Sequence, residues 1–261
     1  MTAFLEVQQL NVGVGSTPIL NQLDIRFPEG DVTALLGHNG SGKSTLLNVL
    51  ARQITPQSGQ VILDSRPVSL VSSRDFSKAV GYLPQYPPDT HGLTVRELVA
   101  LGRYPWRGAF GRYTEEDHRI IDRAIADTGL GLFAGRLVDT LSGGERQRAW
   151  IAMLLAQNTR CLLLDEPISA LDMRHQVTTL QLIRRLADER NLTVIMVLHD
   201  VNLAARFCDR LLALGRYPAG SQLIADGAPA EIMNQRTLSD IYGVAMGVLQ
   251  QSPGQRIAYV H

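Results

Sequence analysis

The amino-acid sequence predicts an α/β fold with a mostly parallel core sheet and an inserted helical subdomain. Short β-branched apolar runs alternate with longer helical segments, an order typical of parallel strands joined by helices. Several runs are apolar at nearly every position, as strands covered on both faces are. Between positions 85 and 141 the strand signal disappears and helix-start signals replace it.

Strands are predicted where apolar runs are short and rich in β-branched residues. The runs near 161, 193 and 210 are the candidates for central strands because they are nearly continuous. The predicted strands are 5–12, Val32–Leu36, 61–63, Val80–Leu83, Cys161–Leu164, Thr193–Val197 and 210–214.

The segment 86–159 is the predicted helical subdomain, and 1–85 with 160–261 form the predicted core of a single domain over 1–261. Thr94 precedes Glu97 by three residues, and Thr114 precedes Asp117 in the same way. Each pair places an oxygen acceptor at a helix start and an acid one turn later, which is a capping-box pattern. Gly and Pro cluster over 84–92 and 104–111, which predicts loops or hinges there.

Composition limits the classes of function. The 261 residues are 45% hydrophobic and carry 25 basic and 25 acidic side chains, for a formal net charge of zero. This balance gives no bulk attraction to nucleic acid or to an anionic membrane surface. The apolar runs are far shorter than the ~20 residues that cross a bilayer, and the opening MTAFLEVQQL has neither a basic head nor an apolar signal core. We therefore expect a cytoplasmic chain that binds no nucleic acid.

The two cysteines, Cys161 and Cys208, lie in apolar segments without a partner at metal-ligand spacing. Buried free thiols are favoured over a disulfide or a metal site. That interpretation agrees with a reducing compartment.

A glycine-rich segment, GHNGSGKS, follows the predicted strand Val32–Leu36 and precedes a helical run. This is the context of a phosphate-binding loop, because glycines let the backbone approach phosphates and amides at a helix start point at anionic oxygens. Lys43 would reach the terminal phosphates, and the Ser44 hydroxyl would hold Mg²⁺. Only two of the 25 basic residues are lysines, so a chance match is improbable. The predicted nucleotide-binding residues here are Gly37, His38, Asn39, Gly40, Ser41, Gly42, Lys43, Ser44 and Thr45.

Two adjacent acids, Asp165 and Glu166, end the apolar run Cys161–Leu164. Because side chains alternate along a strand, the two carboxylates point in different directions. Asp165 would support Mg²⁺ and Glu166 would orient or polarise an attacking water. An acidic strand end on its own is more often a turn or helix-capping feature, and the phosphate-binding loop is what favours the catalytic interpretation.

The segment LSGGE opens a strongly apolar helix pattern. Ser142 is the predicted N-cap, and Glu145 completes a capping box. A cap alone does not need Gly143 and Gly144, which cost about 1 kcal/mol each relative to alanine in a helix. A helix start free of side chains is instead a second anion site.

In chain order, GHNGSGKS, the LPQ that ends at Gln85, LSGGE followed by RQR, the Asp165 and Glu166 pair, SALD at 169–172 and His199 resemble the motifs of ABC-transporter ATPases. The resemblance covers nearly the whole chain. It implies the P-loop NTPase fold of the ABC ATPase type, with an antiparallel N-terminal β region. It also implies ATP and Mg²⁺ as ligands, and a head-to-tail homodimer in which the LSGGE of one copy contacts the γ-phosphate held by the other.

The resemblance assigns roles to single residues. It makes Gln85 a contact to Mg²⁺ and water, His199 a contact to the γ-phosphate, and 169–172 a segment at the dimer interface. As an isolated histidine, His199 would more often be a satisfied helix cap. The chain departs from the family at Val14, where an aromatic residue usually stacks on adenine, so the preference for ATP over GTP stays open.

Within the family, the segments YLPQYPP, TVRELVALGRYPWRGAFGRY and VLHDVNLAARFCD resemble the ATPase subunits of ferric hydroxamate siderophore importers. That resemblance implies two membrane permease subunits, or one fused, together with a separate extracytoplasmic substrate-binding protein. It also implies a peripheral location on the cytoplasmic face of the inner membrane. Catalysis would depend on Lys43, Gln85, Glu166 and His199.

Three alternatives stay open. Cobalamin and haem importers share much of the pattern, so the substrate rests on loop resemblance. A soluble ABC ATPase acting on DNA or the ribosome would predict tandem cassettes, a coiled-coil insertion or a basic face, and the sequence shows none of these. A non-hydrolytic nucleotide switch would not require Lys43, Glu166 and His199.

The interleaved Arg and aromatic residues of 103–113 would suit nucleic-acid stacking, but a subdomain surface near the membrane partner is favoured.

Overall fold

The computed structural model describes residues 3–108, 110–252 and 255–261. Three short 3₁₀ helices in this part of the chain are Val68–Leu70, Gly131–Phe133 and Val138–Thr140. The strands are β1 (Ala3–Val14), β2 (Thr17–Pro28), β3 (Val32–Leu36), β4 (Ser58–Leu63), β5 (Arg66–Pro67), β6 (Val80–Leu83), β7 (Cys161–Leu164), β8 (Thr193–Val197), β9 (Arg210–Gly215), β10 (Gln222–Gly227), β11 (Met246–Ser252) and β12 (Gln255–Val260). The α-helices are α1 (Lys43–Leu50), α2 (Ser73–Ala79), α3 (Val95–Leu101), α4 (Tyr104–Arg107), α5 (Glu115–Asp127), α6 (Gly143–Gln157), α7 (Met173–Arg190), α8 (Val201–Phe207), α9 (Pro229–Ile232) and α10 (Gln235–Tyr242).

The core sheet has the order β10-β9-β3-β8-β7-β6. Neighbours from β9 to β6 are parallel, and β10 is an antiparallel edge strand. The strands β3, β7 and β8 are buried at every position, which confirms the prediction of a mostly parallel sheet covered on both faces. Because the strands are parallel, β3, β6, β7 and β8 all end at the same edge of the sheet.

Alternate residues of each central strand enter different cores, as the two-residue period of a strand requires. In β8, Val194 and Met196 pack with the helices that include α6 and α7. Ile195 and Val197 pack instead with α1 and the N-terminal strands. The sheet is therefore the middle layer between the helices and a second sheet.

That second sheet has the order β2-β1-β4-β5 and is antiparallel throughout. It confirms the antiparallel N-terminal β region. Its long strand β2 does alternate between buried apolar and exposed polar residues over Leu23–Phe27, but it is not one of the nearly continuous apolar runs that identified the central strands. The sequence prediction accordingly missed β2, and it also missed β10.

Helices fill the segment between β6 and β7. The capping boxes at Thr94 and Thr114 are both present, which confirms the predicted helix starts. The prediction of a loop over 104–111 is wrong in its first half, because Tyr104–Arg107 forms one helical turn with proline near its start, where the missing proline N–H costs no hydrogen bond. Ala109 lies outside the described residues. The division into a core and a helical subdomain at positions 86 and 159 stays a proposal.

The C-terminal segment forms an antiparallel hairpin of β11 and β12. Cys161 and Cys208 are both buried and unpaired, and burial raises the pKa of both thiols. Among the described residues, no helix is both long and apolar enough to span a bilayer.

Candidate functional site

The glycine-rich loop joins β3 to α1, and at its glycine positions the backbone adopts angles that residues with a side chain rarely adopt. Gly37, Gly40 and Gly42 have φ angles of 137°, 79° and 82°. A Cβ on Gly37 would lie 2.4 Å from the carbonyl oxygen of Leu214, and one on Gly42 would lie 2.6 Å from Leu20 Cδ2. Glycine is therefore required both for the backbone angles and for the close approach of neighbouring strands.

Lys43 begins α1 and is buried, with 5% of its surface exposed. Its ammonium group donates to the carbonyl oxygens of Gly37 at 2.8 Å and His38 at 3.0 Å. Burial lowers the pKa of Lys43, and the charges of Glu166 and Asp165 oppose that shift. The loop thus holds a cation against its own carbonyl oxygens. The buried Ser41 hydroxyl beside it has no hydrogen-bond partner among the described residues.

Asp165 follows β7 directly and faces the start of α1. The Ser44 hydroxyl donates to Asp165 Oδ1 at 2.9 Å. Burial raises the pKa of Asp165 although the Ser44 hydrogen bond lowers it, and the neighbouring Glu166 charge raises it further. The position therefore favours a cation or a proton near this carboxylate.

Glu166 is the centre of the arrangement. Gln85, which follows β6, donates from Nε2 to Glu166 Oε2 at 2.7 Å. His199, which follows β8, places Nε2 at 2.8 Å from Glu166 Oε1. Glu166 has a φ of 50°, a left-handed conformation that costs a non-glycine residue about 1–2 kcal/mol. The ends of β6, β7 and β8 thus meet at the Glu166 carboxylate, although Gln85 and His199 are more than 110 residues apart in the sequence.

A cavity of about 520 Å³ lies over the loop and these strand ends. It is lined by Asn39, Gly40, Gly42, Lys43, Ser44, Thr45, Gln85, Glu166 and His199. The structure therefore brings together most of the predicted phosphate-loop and catalytic residues. Val14 is not among the lining residues and is 72% exposed near the turn between β1 and β2, and neither Ser142 nor Gly143 lines this cavity.

Comparison with known proteins identifies the family. The ABC transporter family model matches residues 20–169.

The chain belongs to the ABC transporter family.

It is 42% identical over 240 residues to the iron(3+)-hydroxamate import ATP-binding protein of Bacillus subtilis (strain 168), covering 92% of this chain and 88% of that protein. It is 42% identical over 242 residues to the ferric enterobactin transport ATP-binding protein of Escherichia coli (strain K12), covering 93% and 88%. A solved structure described as an inward-facing conformation of a metal-chelate type ABC transporter has a TM-score of 0.83 and 26% identity, covering 99% of this chain and 96% of that one. The chain is therefore an ATP-binding subunit of this family, an ATPase.

The LSGGE segment of this ABC subunit starts α6 and has the predicted capping box. Ser142 N and Oγ both donate to Glu145 Oε2, at 2.8 and 2.7 Å. A Cβ on Gly144 would lie 2.6 Å from His175 Cδ2, and the His175 ring contacts the Asp172 carboxylate at 2.9 Å. Gly144 thus permits α6 to approach the start of α7, while Ser142 and Gly143 stay exposed.

Two neighbours of the predicted site were missed by the sequence prediction. Arg216 follows β9, is exposed, and lies against Gly40, where an added Cβ would be 3.2 Å from its guanidinium. The Tyr242 hydroxyl at the end of α10 donates to the carbonyl oxygen of His199 at 3.4 Å. No motif contains either residue. Arg216 could have been found only from the strand order, which places β9 beside β3.

Proposed function

We propose that this chain is the ATP-hydrolysing subunit of an ABC importer for ferric siderophores of the hydroxamate class. The observation that carries the ATPase part is Glu166, whose carboxylate lies between Gln85 and His199 beside the phosphate-binding loop. The substrate part rests on relatives 40–42% identical, whose names include iron(3+)-hydroxamate, petrobactin, achromobactin and ferric enterobactin.

Each residue of the cavity has a chemical role in this proposal. Lys43 and the backbone amides of the loop neutralise phosphate charge. Glu166 orients the attacking water and accepts its proton, and Gln85 and His199 fix the two oxygens of that carboxylate. A carboxylate with both oxygens held is pre-organised, which is how an enzyme lowers the barrier without moving groups during the reaction.

The residues present fit a magnesium ion. Ser44 and Asp165 already share a hydrogen bond at 2.9 Å, burial raises the pKa of Asp165 so that a cation would stabilise its charged form, and Gln85 lines the same cavity. The described residues contain no cluster of three or more His, Cys, Asp or Glu side chains that could hold a metal ion. Mg²⁺ suits such a site because one or two protein oxygens and the substrate phosphates bind it. Bound there, it would neutralise charge on the phosphate oxygens.

The functional unit in this proposal is a head-to-tail homodimer. Ser142 and Gly143 are exposed at the start of α6, outside the cavity of their own chain, which leaves them free to contact the nucleotide of a second copy, as the family resemblance implies. We expect Ser142→Arg to leave ATP binding to the monomer unchanged and to abolish turnover by blocking closure of the dimer. Isothermal titration and steady-state ATPase assays measure the two effects, and turnover that survives the change would exclude a shared site.

Two membrane permease subunits, or one fused, and a separate extracytoplasmic binding protein complete the proposed importer, with this chain on the cytoplasmic face of the inner membrane. In this proposal the chain supplies ATP binding and hydrolysis, and the permease subunits supply the route across the bilayer. No helix in the described ranges of this chain is long and apolar enough to span one. Val14 cannot stack on adenine as an aromatic ring does. Competition between ATP and GTP for the site would measure its preference for one base.

Uptake of labelled iron tests the substrate. Cells of the source organism that lack the gene would carry either the wild-type chain or Glu166→Gln, and would receive ferric hydroxamate, ferric enterobactin, labelled cobalamin or haem. Loss of hydroxamate uptake alone, restored only by the wild type, supports the proposal. Loss of a different substrate alone would keep the importer and correct the substrate. Normal uptake of all four would overturn the importer and favour a soluble ABC ATPase acting on DNA or the ribosome.

A further inference from the structure

The segment that follows β8 is joined to α8 by a helix cap. His199 and Asp200 lie between β8 and α8. Asp200 Oδ1 accepts hydrogen bonds from the backbone amides of Asn202 at 2.7 Å and Leu203 at 3.1 Å. This cap joins the position of His199 to the position of α8, because only the capping residue separates the histidine from the first helical residue.

Asn202, on the first turn of α8, is fixed to the C-terminal hairpin by both ends of its amide. Its Nδ2 donates to the carbonyl oxygen of Ala258 at 3.1 Å, and the Ala258 amide donates back to Asn202 Oδ1 at 2.8 Å. A pair of reciprocal hydrogen bonds to one residue of β12 fixes the side chain in rotation as well as in distance. These two hydrogen bonds join the start of α8 to β12.

Tyr242 supplies a second link from the C-terminal part to the same segment. Its hydroxyl donates to the His199 carbonyl oxygen at 3.4 Å, longer than an ideal hydroxyl hydrogen bond. Burial, with the nearby Asp200 charge, raises the pKa of Tyr242 to about 12. The hydroxyl consequently keeps its proton at neutral pH and stays a donor.

The hairpin is itself anchored. The Met246 amide at the start of β11 donates to Ser239 Oγ on α10 at 3.1 Å. Arg256 on β12 donates from Nη1 to the carbonyl oxygens of Ala230 and Met233, at 2.9 and 3.0 Å. These hydrogen bonds join α9, α10 and the hairpin into one connected unit. Asn202 is bonded to this unit through β12, and Tyr242 belongs to it as the last residue of α10. We call α10, β11 and β12 the C-terminal brace.

We propose that the C-terminal brace positions His199 for catalysis, with Asn202 and Tyr242 as its positioning residues. The inference rests on the proposed function, in which His199 acts together with Glu166. His199 Nε2 lies 2.8 Å from Glu166 Oε1, and its side chain is 45% exposed, so packing around the ring does little to hold it. The position of the ring then depends on the backbone at His199, which the brace contacts through Tyr242 and, by way of α8, through Asn202. A misplacement of about 1 Å at a catalytic group can cost up to about 100-fold in rate.

The test compares matched variants in the full-length chain. Asn202→Ala is expected to lower kcat about 3- to 10-fold, and Tyr242→Phe about 2-fold, with KM for ATP within about 2-fold, because positioning acts on the transition state. Asn11→Ala is the control for the amide, since Asn11 also donates to one backbone group and accepts from another, at 3.0 Å each. Tyr113→Phe is the control for the hydroxyl, which donates to the Ala100 carbonyl oxygen at 3.3 Å. Both controls should keep kcat.

Two further measurements separate positioning from general destabilisation. The effect of Asn202→Ala on the residual turnover of His199→Ala, measured with excess enzyme, should vanish, since the brace would then have nothing to position. In NMR spectra, the ring signal of His199, identified among the six histidines by its loss in His199→Ala, should shift in Asn202→Ala and Tyr242→Phe but not in the two controls. This signal needs no activity, and Tyr242→Phe removes only one oxygen, so the test survives if Asn202→Ala folds poorly.

The outcomes are distinct. An unchanged His199 signal and unchanged kcat in both brace variants would overturn the brace, while a large drop of turnover to a residual rate in His199→Ala would leave the proposed ATPase standing. Additive effects of Asn202→Ala and His199→Ala would also overturn it. Full turnover in His199→Ala would overturn the role of His199 and the brace together.

Discussion

Two buried charged clusters in this molecule have opposite characters. In the cavity over the glycine-rich loop, Lys43 donates to two carbonyl oxygens of its own loop, and burial raises the pKa of Asp165. Between α4 and α5, Arg103 donates to Asp117 at 2.7 Å and to the Ala156 carbonyl oxygen at 2.9 Å. Burial alone would raise the pKa of Asp117, but hydrogen bonds from Thr114 and Arg103 lower it to about 2.

The difference separates a binding site from a structural pair. Arg103 and Asp117 are 7% and 8% exposed in their side chains, and each charge has partners that compensate for the loss of water. At the cavity, burial instead shifts the pKa of Lys43 down and that of Asp165 up, toward their neutral forms, and the buried Ser41 hydroxyl of the same loop has no hydrogen-bond partner among the described residues. A native structure tolerates such a deficit where a ligand supplies the missing interactions. We therefore expect the first cluster to control turnover and the second to control stability.

The largest expected effect is on catalysis. Glu166→Gln should lower ATP turnover by about 10²- to 10⁴-fold, because the amide keeps the shape of the side chain but cannot accept a proton. The melting temperature should stay close to that of the wild type, because the replaced group is not part of the structural pair. Steady-state ATPase assays and calorimetry measure the two quantities. Turnover within 3-fold of the wild type would remove Glu166 from its proposed role.

The next effect is on stability. Arg103→Ala should lower the free energy of unfolding by about 3–5 kcal/mol, because it leaves Asp117 buried without its charged partner. The side chain also lies over the Trp106 ring at 5.3 Å, and that contact is lost as well. Urea unfolding followed by fluorescence measures the change. Arg66→Ala, at an exposed arginine on β5, is the control, and an equal loss in both variants would contradict the comparison.

A smaller effect is expected on nucleotide affinity. Lys43→Met should weaken ATP binding about 10- to 150-fold, the equivalent of one charge-assisted hydrogen bond of about 1.5–3 kcal/mol. Stability should not fall, because methionine fills the same volume without a buried charge. Titration with ATP and a thermal scan of the free protein test both halves of the comparison. A variant that binds ATP normally would remove Lys43 from the phosphate site.

The smallest effect is on the pH dependence of stability, and its sign differs between the clusters. The lowered pKa of Asp117 means that its contribution is complete above about pH 4 and is lost as pH falls toward about 2. The raised pKa of Asp165 means the opposite: its charged form destabilises the free protein at pH 7, and that penalty disappears as pH falls to the unfolded value near 3.9.

Unfolding by urea at pH 7 and pH 4, without nucleotide or Mg²⁺, distinguishes the two. Asp165→Asn should be more stable than the wild type at pH 7 and equal to it at pH 4. Asp117→Asn should be less stable by the same amount at both values. Parallel pH profiles for the two variants would contradict the assignment of one cluster to function and the other to structure.

The sequence predicted the parts of this molecule that short segments encode. The strand runs, the capping boxes at Thr94 and Thr114 and the glycine loop are confirmed, because each depends on residues within a few positions. The strand β2 was missed although Leu23–Phe27 alternates between buried apolar and exposed polar residues, and the helical turn Tyr104–Arg107 was missed because its Gly and Pro neighbours predict a loop. The roles of the site residues stay predictions.

By itself the sequence determined the fold class, the order of the motifs and the position of the glycine-rich loop between β3 and α1, because propensity, periodicity and glycine angles are local properties. Only the tertiary structure decided which side chains meet. The contacts of Glu166 with Gln85 and His199 span 81 and 33 residues, and Tyr242 reaches His199 across 43. Such contacts depend on strand order and on helix packing, which fix distances that no short segment contains.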